Sequence, residues 1–298
     1  VSADPIRSVL VLGARGQTGR QVIASLRQRP DVRVRAAVRN MSTPAMPDTV
    51  LARFDWNDHA TFASAVEDVD AVYVVKPTDT LTNADGVDPA RTVATFLSVS
   101  PRLKRIVLLS EIGAGSRPET SDERQVERLI ETSGVDWTIL RPNWFLQNFT
   151  DPAYYLGDLR EIGEVAVPTG GQATSFVDTR DIGEVAAAAL LNAGHAGRHY
   201  TLTGDKALTW HEAISRIADA ARHDIKYIDP PLEKYLRLHA EHNVAPHVLE
   251  HHRDVYETLR GEDGANVTSD IRQITGRAPR SFEAFVTENA DLWRRGGA

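Results

Sequence analysis

The sequence predicts an α/β fold: a parallel, doubly wound sheet with a smaller C-terminal α/β lobe. Three observations predict it. Short apolar runs alternate with stretches of helical period, a β-α-β unit of about thirty residues opens the chain, and its first turn is rich in glycine. A strand covered on both faces reads as an unbroken apolar run, whereas a helix lying on such a sheet repeats its apolar residues every three or four positions.

Ser8-Val-Leu-Val-Leu-Gly13 is the first such run, and Val22, Ile23 and Leu26 mark one face of a helix within 16–29. Pro30 stops that helix, and Val32–Val38 restarts as a strand. Val50–Asp55 predicts a third strand, 58–66 a helix, Ala71–Val75 a fourth strand and 89–99 a helix. The run Arg105–Ser110 is the fifth strand, followed by a helix over 122–132 and a sixth strand, Trp137–Leu140. Ligands of such a sheet bind outside the carboxyl ends of its strands. Beyond Pro142 the pattern loosens into aromatic and glycine-rich stretches. Residues 1–150 are therefore expected to form a nucleotide-binding domain, and 151–298 a substrate lobe that partly returns to the sheet. Asp181 with Glu184, and Thr209 with Glu212, have the spacing of capping boxes at helix starts.

With 298 residues, 42% hydrophobic, 25% charged and a net charge of -7, the composition is that of a globular protein. The acidic balance argues against nucleic acid as a partner. The absence of cysteine excludes disulfides, cysteine-ligated zinc and a thiol nucleophile. Val1–Arg7 holds Asp4 and Pro5 where an export signal needs a long apolar stretch, and no apolar run is long enough to span a bilayer. The expected setting is cytoplasmic, without a membrane partner, and a homo-oligomer stays open.

The segment Gly13-Ala-Arg15-Gly16-Gln17-Thr18-Gly19 spaces its glycines by three, directly after a strand and at the opening of a helix. In that context one glycine makes the tight turn, the next lets backbone approach a pyrophosphate, and the last lets the helix pack on the sheet. The loop predicts a dinucleotide site, with Gly13, Arg15, Gly16, Gln17, Thr18 and Gly19 as cofactor-binding residues. An NAD-preferring fold ends its second strand in a carboxylate for the ribose 2′-hydroxyl. Here that position reads Val38-Arg39-Asn40. Arg39, seconded by Arg15, suits a 2′-phosphate, so the expected cofactor is NADP(H). Asp55, ending the third strand, is a candidate for the adenine edge or for a helix cap.

Thr138-Ile-Leu-Arg-Pro-Asn-Trp-Phe145 and Gln147-Asn-Phe149 closely resemble the NmrA-like branch of the atypical short-chain dehydrogenases. The glycine loop, Ser175–Ile182, Tyr200–Gly204, and Val267-Thr-Ser-Asp with Thr275–Arg280 look like landmarks of the same family, so the resemblance spans nearly the whole chain. It implies a Rossmann domain carrying NADP(H) and a small C-terminal substrate lobe. Members include quinone and iminium reductases, isoflavone-type reductases, and redox-sensing regulators without catalysis. Active short-chain dehydrogenases use a Tyr with a Lys four residues later, the Lys lowering the phenol's pKa for proton transfer. This chain departs from them, with Glu119 and Glu123 at about those positions.

Two other residues stand where an acid could act: Lys76, just after the fourth strand, and Ser110, where the family's Ser or Thr sits. These are the candidate catalytic residues, and Glu123 is expected to matter little to the rate. Trp144, Phe145, Asn148, Tyr154 and Tyr155 follow the sixth strand and are candidates for an aromatic substrate pocket. His239, His242, His247, His251 and His252 crowd a short stretch but lack the pattern of a helical zinc site, so no metal is expected. The reading is an NADPH-dependent reductase of a conjugated or aromatic small molecule, a quinone, an iminium or a secondary-metabolite intermediate. Its alternative is a non-enzymatic redox sensor that binds NADP(H) and acts through a protein partner.

Overall fold

The unbroken apolar runs become strands of one central sheet. The structure, a computed structural model, describes residues 5–77 and 88–295; residues 1–4, part of the export-signal reading, lie outside them. The chain starts β1 (Ser8–Val11), α1 (Gly19–Leu26), β2 (Arg33–Val38), β3 (Val50–Arg53), α2 (Phe62–Val66) and β4 (Ala71–Val75). It continues through α3 (Pro89–Ser98), β5 (Arg105–Leu109), α4 (Asp122–Glu131), β6 (Asp136–Pro142), β7 (Glu164–Ala166) and β8 (Ala173–Thr174). Next come α5 (Thr179–Leu191), β9 (Arg198–Leu202), β10 (Leu208–Thr209), α6 (Trp210–Ala221) and β11 (Lys226–Ile228). The last elements are α7 (Leu232–Glu241), α8 (Pro246–Arg260), α9 (Glu262–Ala265), α10 (Asp270–Thr275) and α11 (Phe282–Trp293). Among the described residues, no helix is long and apolar enough to cross a membrane.

Contacts divide the chain into two units. The first comprises Val1–Pro142, Thr179–Thr201 and Gln273–Gly276; the second takes the rest, beginning at Asn143. The sheet of the first unit runs β3-β2-β1-β4-β5-β6-β9. Its pairs from β3 to β6 are parallel, with Val9 of β1 opposite both Val34 of β2 and Ala71 of β4. Strand order therefore reverses between β1 and β4, which opens a crevice at their carboxyl ends. Leu10, Leu12, Val72, Val74, Ile106 and Leu108 pack with Phe54, Phe62 and Phe96 in one apolar core.

One strand has no counterpart in the sequence pattern, and one local expectation needs correction. β9 adds a seventh strand to the six that the sequence pattern predicts, because it is an edge strand without an apolar run: Arg198 and His199 are exposed and only Leu202 is buried. Helix α5 begins at Thr179, so Asp181 lies inside its first turn and is not its cap. The glycine two residues later has a packing reason. A Cβ on Gly183 would lie 2.6 Å from the Gln21 carbonyl carbon, so glycine is what lets α5 pack this closely on α1. The other predicted box is present: Glu212 N–H donates to Thr209 Oγ1 at 3.2 Å, and Thr209 N–H donates to Glu212 Oε2 at 2.8 Å.

The second unit has its own core around Trp210, Phe149, Phe285 and Trp293. Both buried indoles are satisfied, Trp210 by Thr174 Oγ1 at 3.1 Å and Trp293 by the Phe149 carbonyl at 2.7 Å. Two small sheets, β10-β8 antiparallel and β11-β7 parallel, flank it.

Candidate functional site

The glycine loop is built by three separate constraints. Gly13 has φ +62°, a left-handed conformation that favours glycine, and a Cβ there would lie 3.2 Å from Val75 Cγ2 at the end of β4. Gly16 N–H donates to the Gly13 carbonyl at 2.9 Å and closes the turn. A Cβ on Gly19 would fall 2.1 Å from the Gly13 carbonyl oxygen, so α1 can start this close to β1 only with glycine. Thr18 precedes α1 without a side-chain cap. Gln17 is half-buried and Thr18 buried. The free N–H groups at such a helix start favour an anion.

At the end of β2, Arg39 is exposed. Arg15 reaches from the glycine loop to the segment that follows β2 and donates to the Pro44 carbonyl at 2.5 Å. Asn40 Oδ1 accepts the Ser42 N–H at 2.9 Å, so the place of the usual acid holds an amide tied into a turn. Asp55 Oδ1 accepts the Asn57 N–H at 3.0 Å, a turn at the end of β3.

Helix α4 carries two charged clusters, which the sequence does not reveal as clusters. Lys76 is only 11% exposed and pairs with Glu123 in the first turn of α4, itself 6% exposed. The second Glu123 oxygen meets Arg117 Nη1 at 3.0 Å, and Arg117 meets Glu111 at 2.5 Å. Lys76, Glu123, Arg117 and Glu111 thus form a chain of alternating charge. Glu123, expected to matter little to the rate, joins its two cations.

One turn further along α4, Glu127 is fully buried. Arg141 grips it with two bonds, Nε to Oε1 at 2.9 Å and Nη2 to Oε2 at 2.7 Å, and Arg124 Nη1 adds a third at 2.8 Å. Ser110 Oγ–H donates to Glu127 Oε1 at 2.7 Å, so the proton of this candidate acid is engaged here. Burial pushes the Glu127 carboxyl up, but Arg141, Ser110 and Arg124 outweigh it and hold it below its usual range. Glu127, Glu131 and His199 are close enough to offer ligand atoms to a metal. Arg124 Nη1 already sits between the two carboxylates, 2.8 and 3.0 Å from them, and supplies the positive charge.

Of the predicted pocket residues, Trp144 and Tyr155 come together in the second unit, with ring centroids 6.5 Å apart and nearly parallel. Trp210 and Tyr256 join Trp144 at 5.6 and 6.0 Å. Tyr235 extends the group through a 3.1 Å bond between its hydroxyl and that of Tyr256. Burial pushes the Tyr155 and Tyr256 phenols well above their ordinary value, so both keep their protons. Phe145 forms a bridge with Val177, Asn148 is buried, and Tyr154 is 44% exposed. The histidines lie on α7 and at its end and on α8; His252 is pushed down to about 4 by burial and by the neighbouring His251 and His239.

Comparison with known proteins agrees with this geometry. The model of the NAD(P)H-binding family matches residues 13–193, from the glycine loop to the end of α5. Prestalk A differentiation protein A of Dictyostelium discoideum is 27% identical over 289 residues, 94% of this chain and 92% of that protein. The NAD(P)H azoreductase of Xenophilus azovorans is 27% identical over 290 residues, 95% of this chain and 98% of the enzyme. Among solved structures, the Citrobacter sp. triphenylmethane reductase complexed with NADP(H) superimposes with a TM-score of 0.77 at 19% identity, covering 95% of this chain and 99% of that one.

Proposed function

The chain belongs to the NAD(P)H-binding family, and on that premise we propose that it is an NADPH-dependent reductase of a conjugated or aromatic small molecule, of the NmrA-like group of atypical short-chain dehydrogenases. Relatives named as reductases and oxidoreductases, among them the azoreductase and the quinone oxidoreductase 2 of Escherichia coli, support the reaction type. The observation that carries the cofactor preference is the exposed guanidinium of Arg39 at the end of β2, with Arg15 beside that segment and no carboxylate there. Gly13, Gly16 and Gly19 and the uncapped start of α1 would hold the pyrophosphate, with Gln17 and Thr18 completing the loop. Arg39 and Arg15 would take the 2′-phosphate, and Asp55 would border the adenine side.

When bound, the reduced nicotinamide supplies a hydride to the substrate. The residues of this chain hold it in place: the loop fixes the phosphates, and the carboxyl ends of β4 and β5, with Lys76 and Ser110, border the nicotinamide half. Ser110 spends its proton on Glu127, so its oxygen is left to accept a bond from the carboxamide N–H. The aromatic group around Trp144 and Tyr155, with Phe145, Asn148 and Tyr154 near it in sequence, suits a flat acceptor. Replacing Arg39 with Ala should weaken NADPH about ten- to a hundredfold, the loss of one charge-assisted contact, and leave NADH nearly unchanged. Calorimetric titration of both cofactors reads this directly, and equal losses for the two would overturn the 2′-phosphate assignment.

A further inference from the structure

Lys76 is held by Glu123 of α4 more closely than a residue at a strand end requires. A lysine at a strand end is ordinarily a solvated surface group. Here its side chain is nearly covered and its ammonium is fixed on Glu123. Glu123 is itself shared with Arg117, and Arg117 with Glu111, which is 25% exposed at the far end. The chain is neutral as a whole but polar along its length: it begins with a positive charge at β4 and ends with a negative one beyond β5. Because Arg117 takes the second oxygen of Glu123, the Lys76 charge is only partly cancelled, and its field is felt at the end of β4.

That end of β4 lies beside the cofactor crevice. A dinucleotide straddles the point where strand order reverses, here between β1 and β4. With the adenosine half on the β2 side, where Arg39 stands, the nicotinamide half falls on the β4 side. Val75, the residue before Lys76, approaches the position of a Gly13 Cβ to 3.2 Å, so Lys76 follows directly on the wall of the glycine loop.

Resting on the reductase reading above, we infer that Lys76 is a catalytic residue that selects neutral, oxyanion-forming acceptors such as quinones over cationic ones such as iminium ions. Glu123 is its positioning residue. Hydride leaves the dihydronicotinamide ring, which becomes the oxidised cation, and the acceptor carbonyl gains both electrons of the transferred pair. The negative charge that builds on the acceptor oxygen is stabilised by the Lys76 ammonium, which passes it a proton and takes one back from water. A cationic acceptor loses its charge on reduction, needs no proton, and is repelled by the same ammonium while it binds.

The test compares a neutral naphthoquinone with a permanently cationic N-alkyl iminium salt, using NADPH and the full chain. Lys76→Met should lower kcat with the quinone by about a hundredfold, while the rate with the iminium stays within about threefold or rises. Lys76→Arg should restore part of the quinone rate, and Glu123→Gln should shift the ratio of the two rates in the direction of Lys76→Met. Both acceptors are assayed on one preparation, so their ratio does not depend on how much of a variant is folded. Quinone and iminium rates that fall together, or an unchanged ratio, would overturn the inference, as would a wild-type protein that prefers the iminium. A wild-type protein that binds NADPH in calorimetry yet reduces neither acceptor would instead overturn the reductase reading itself.

Discussion

Glu123 and Glu127 stand four residues apart, about one turn, on the same stretch of α4, yet their surroundings differ in kind. Glu127 is closed: Arg141, Arg124 and Ser110 fill both oxygens, and no part of it meets solvent. Glu123 is a link in an open chain, with Lys76 on one oxygen and Arg117 on the other. A carboxylate saturated by donors from β5, β6 and its own helix works as a clamp between those elements. One that passes its charge along leaves an end available for chemistry. Residue type does not separate the two; the number and origin of the donors does.

The largest expected effect follows from the closed cluster. Glu127→Ala takes from Arg141 the carboxylate that holds it, leaves Arg124 to Glu119 and Glu131 alone, and should destabilise the fold by about 3–5 kcal/mol. Lys76→Met removes one partner of a buried pair but leaves Glu123 on Arg117, so it should cost less, about 1–3 kcal/mol. Urea unfolding of the two variants beside the wild type measures both. Comparable losses would erase the distinction between clamp and open chain.

A smaller effect sharpens the same contrast. Ser110→Ala removes one of several donors to a charged acceptor and should lower stability by about 1.5 kcal/mol, the low end for such bonds. In a Glu127→Ala background the same change should be almost silent, because the hydroxyl has lost its acceptor. A double-mutant cycle reads the coupling. An unchanged Ser110→Ala effect in that background would free Ser110 from the clamp and return its proton to the substrate side.

How much of this was legible in the sequence depends on how local the determining physics is. The glycine loop could be read because all its constraints act within seven residues, and the structure gives a steric reason for Gly13 and Gly19. Strands β1, β4 and β5 could be read because sheet faces covered on both sides demand nearly unbroken apolar runs, and β2, β3 and β6 from shorter apolar stretches in the same alternation with helices. β9 could not, since its outward residues Arg198 and His199 carry no such signature. Asp181 was misread because Thr179 already opens α5, and Gly183 answers to the crossing with α1, which no local pattern reveals. The Lys76–Glu123 pair joins residues 47 apart, and it exists because β4 ends near where α4 begins. Likewise Tyr235 and Tyr256, from α7 and α8, complete an aromatic group that Trp144 and Tyr155 only begin.

The smallest effect is a dependence on acid, and it too should separate the clusters. Glu127 is held below its usual value: burial opposes ionisation, and the bonds from Arg141, Ser110 and Arg124 outweigh it. Glu131 is shifted in the same direction, with burial again opposed by Arg124 and His199. A carboxylate depressed in the folded state contributes stability above its unfolded value, here 4.5, and that contribution fades as pH falls through the lower folded value. Wild-type stability should therefore decline from about pH 5 downward. Glu127→Gln removes one titrating group, so this variant starts less stable at neutral pH but should lose less on acidification. Lys76→Met removes no member of the clamp and should decline in parallel with the wild type. Urea midpoints followed from neutral pH into this acid range supply the slopes. If Glu127→Gln fell as steeply as the wild type, the acid sensitivity would reside outside the clamp, and the closed cluster would lose its claim to be the charged keystone of α4.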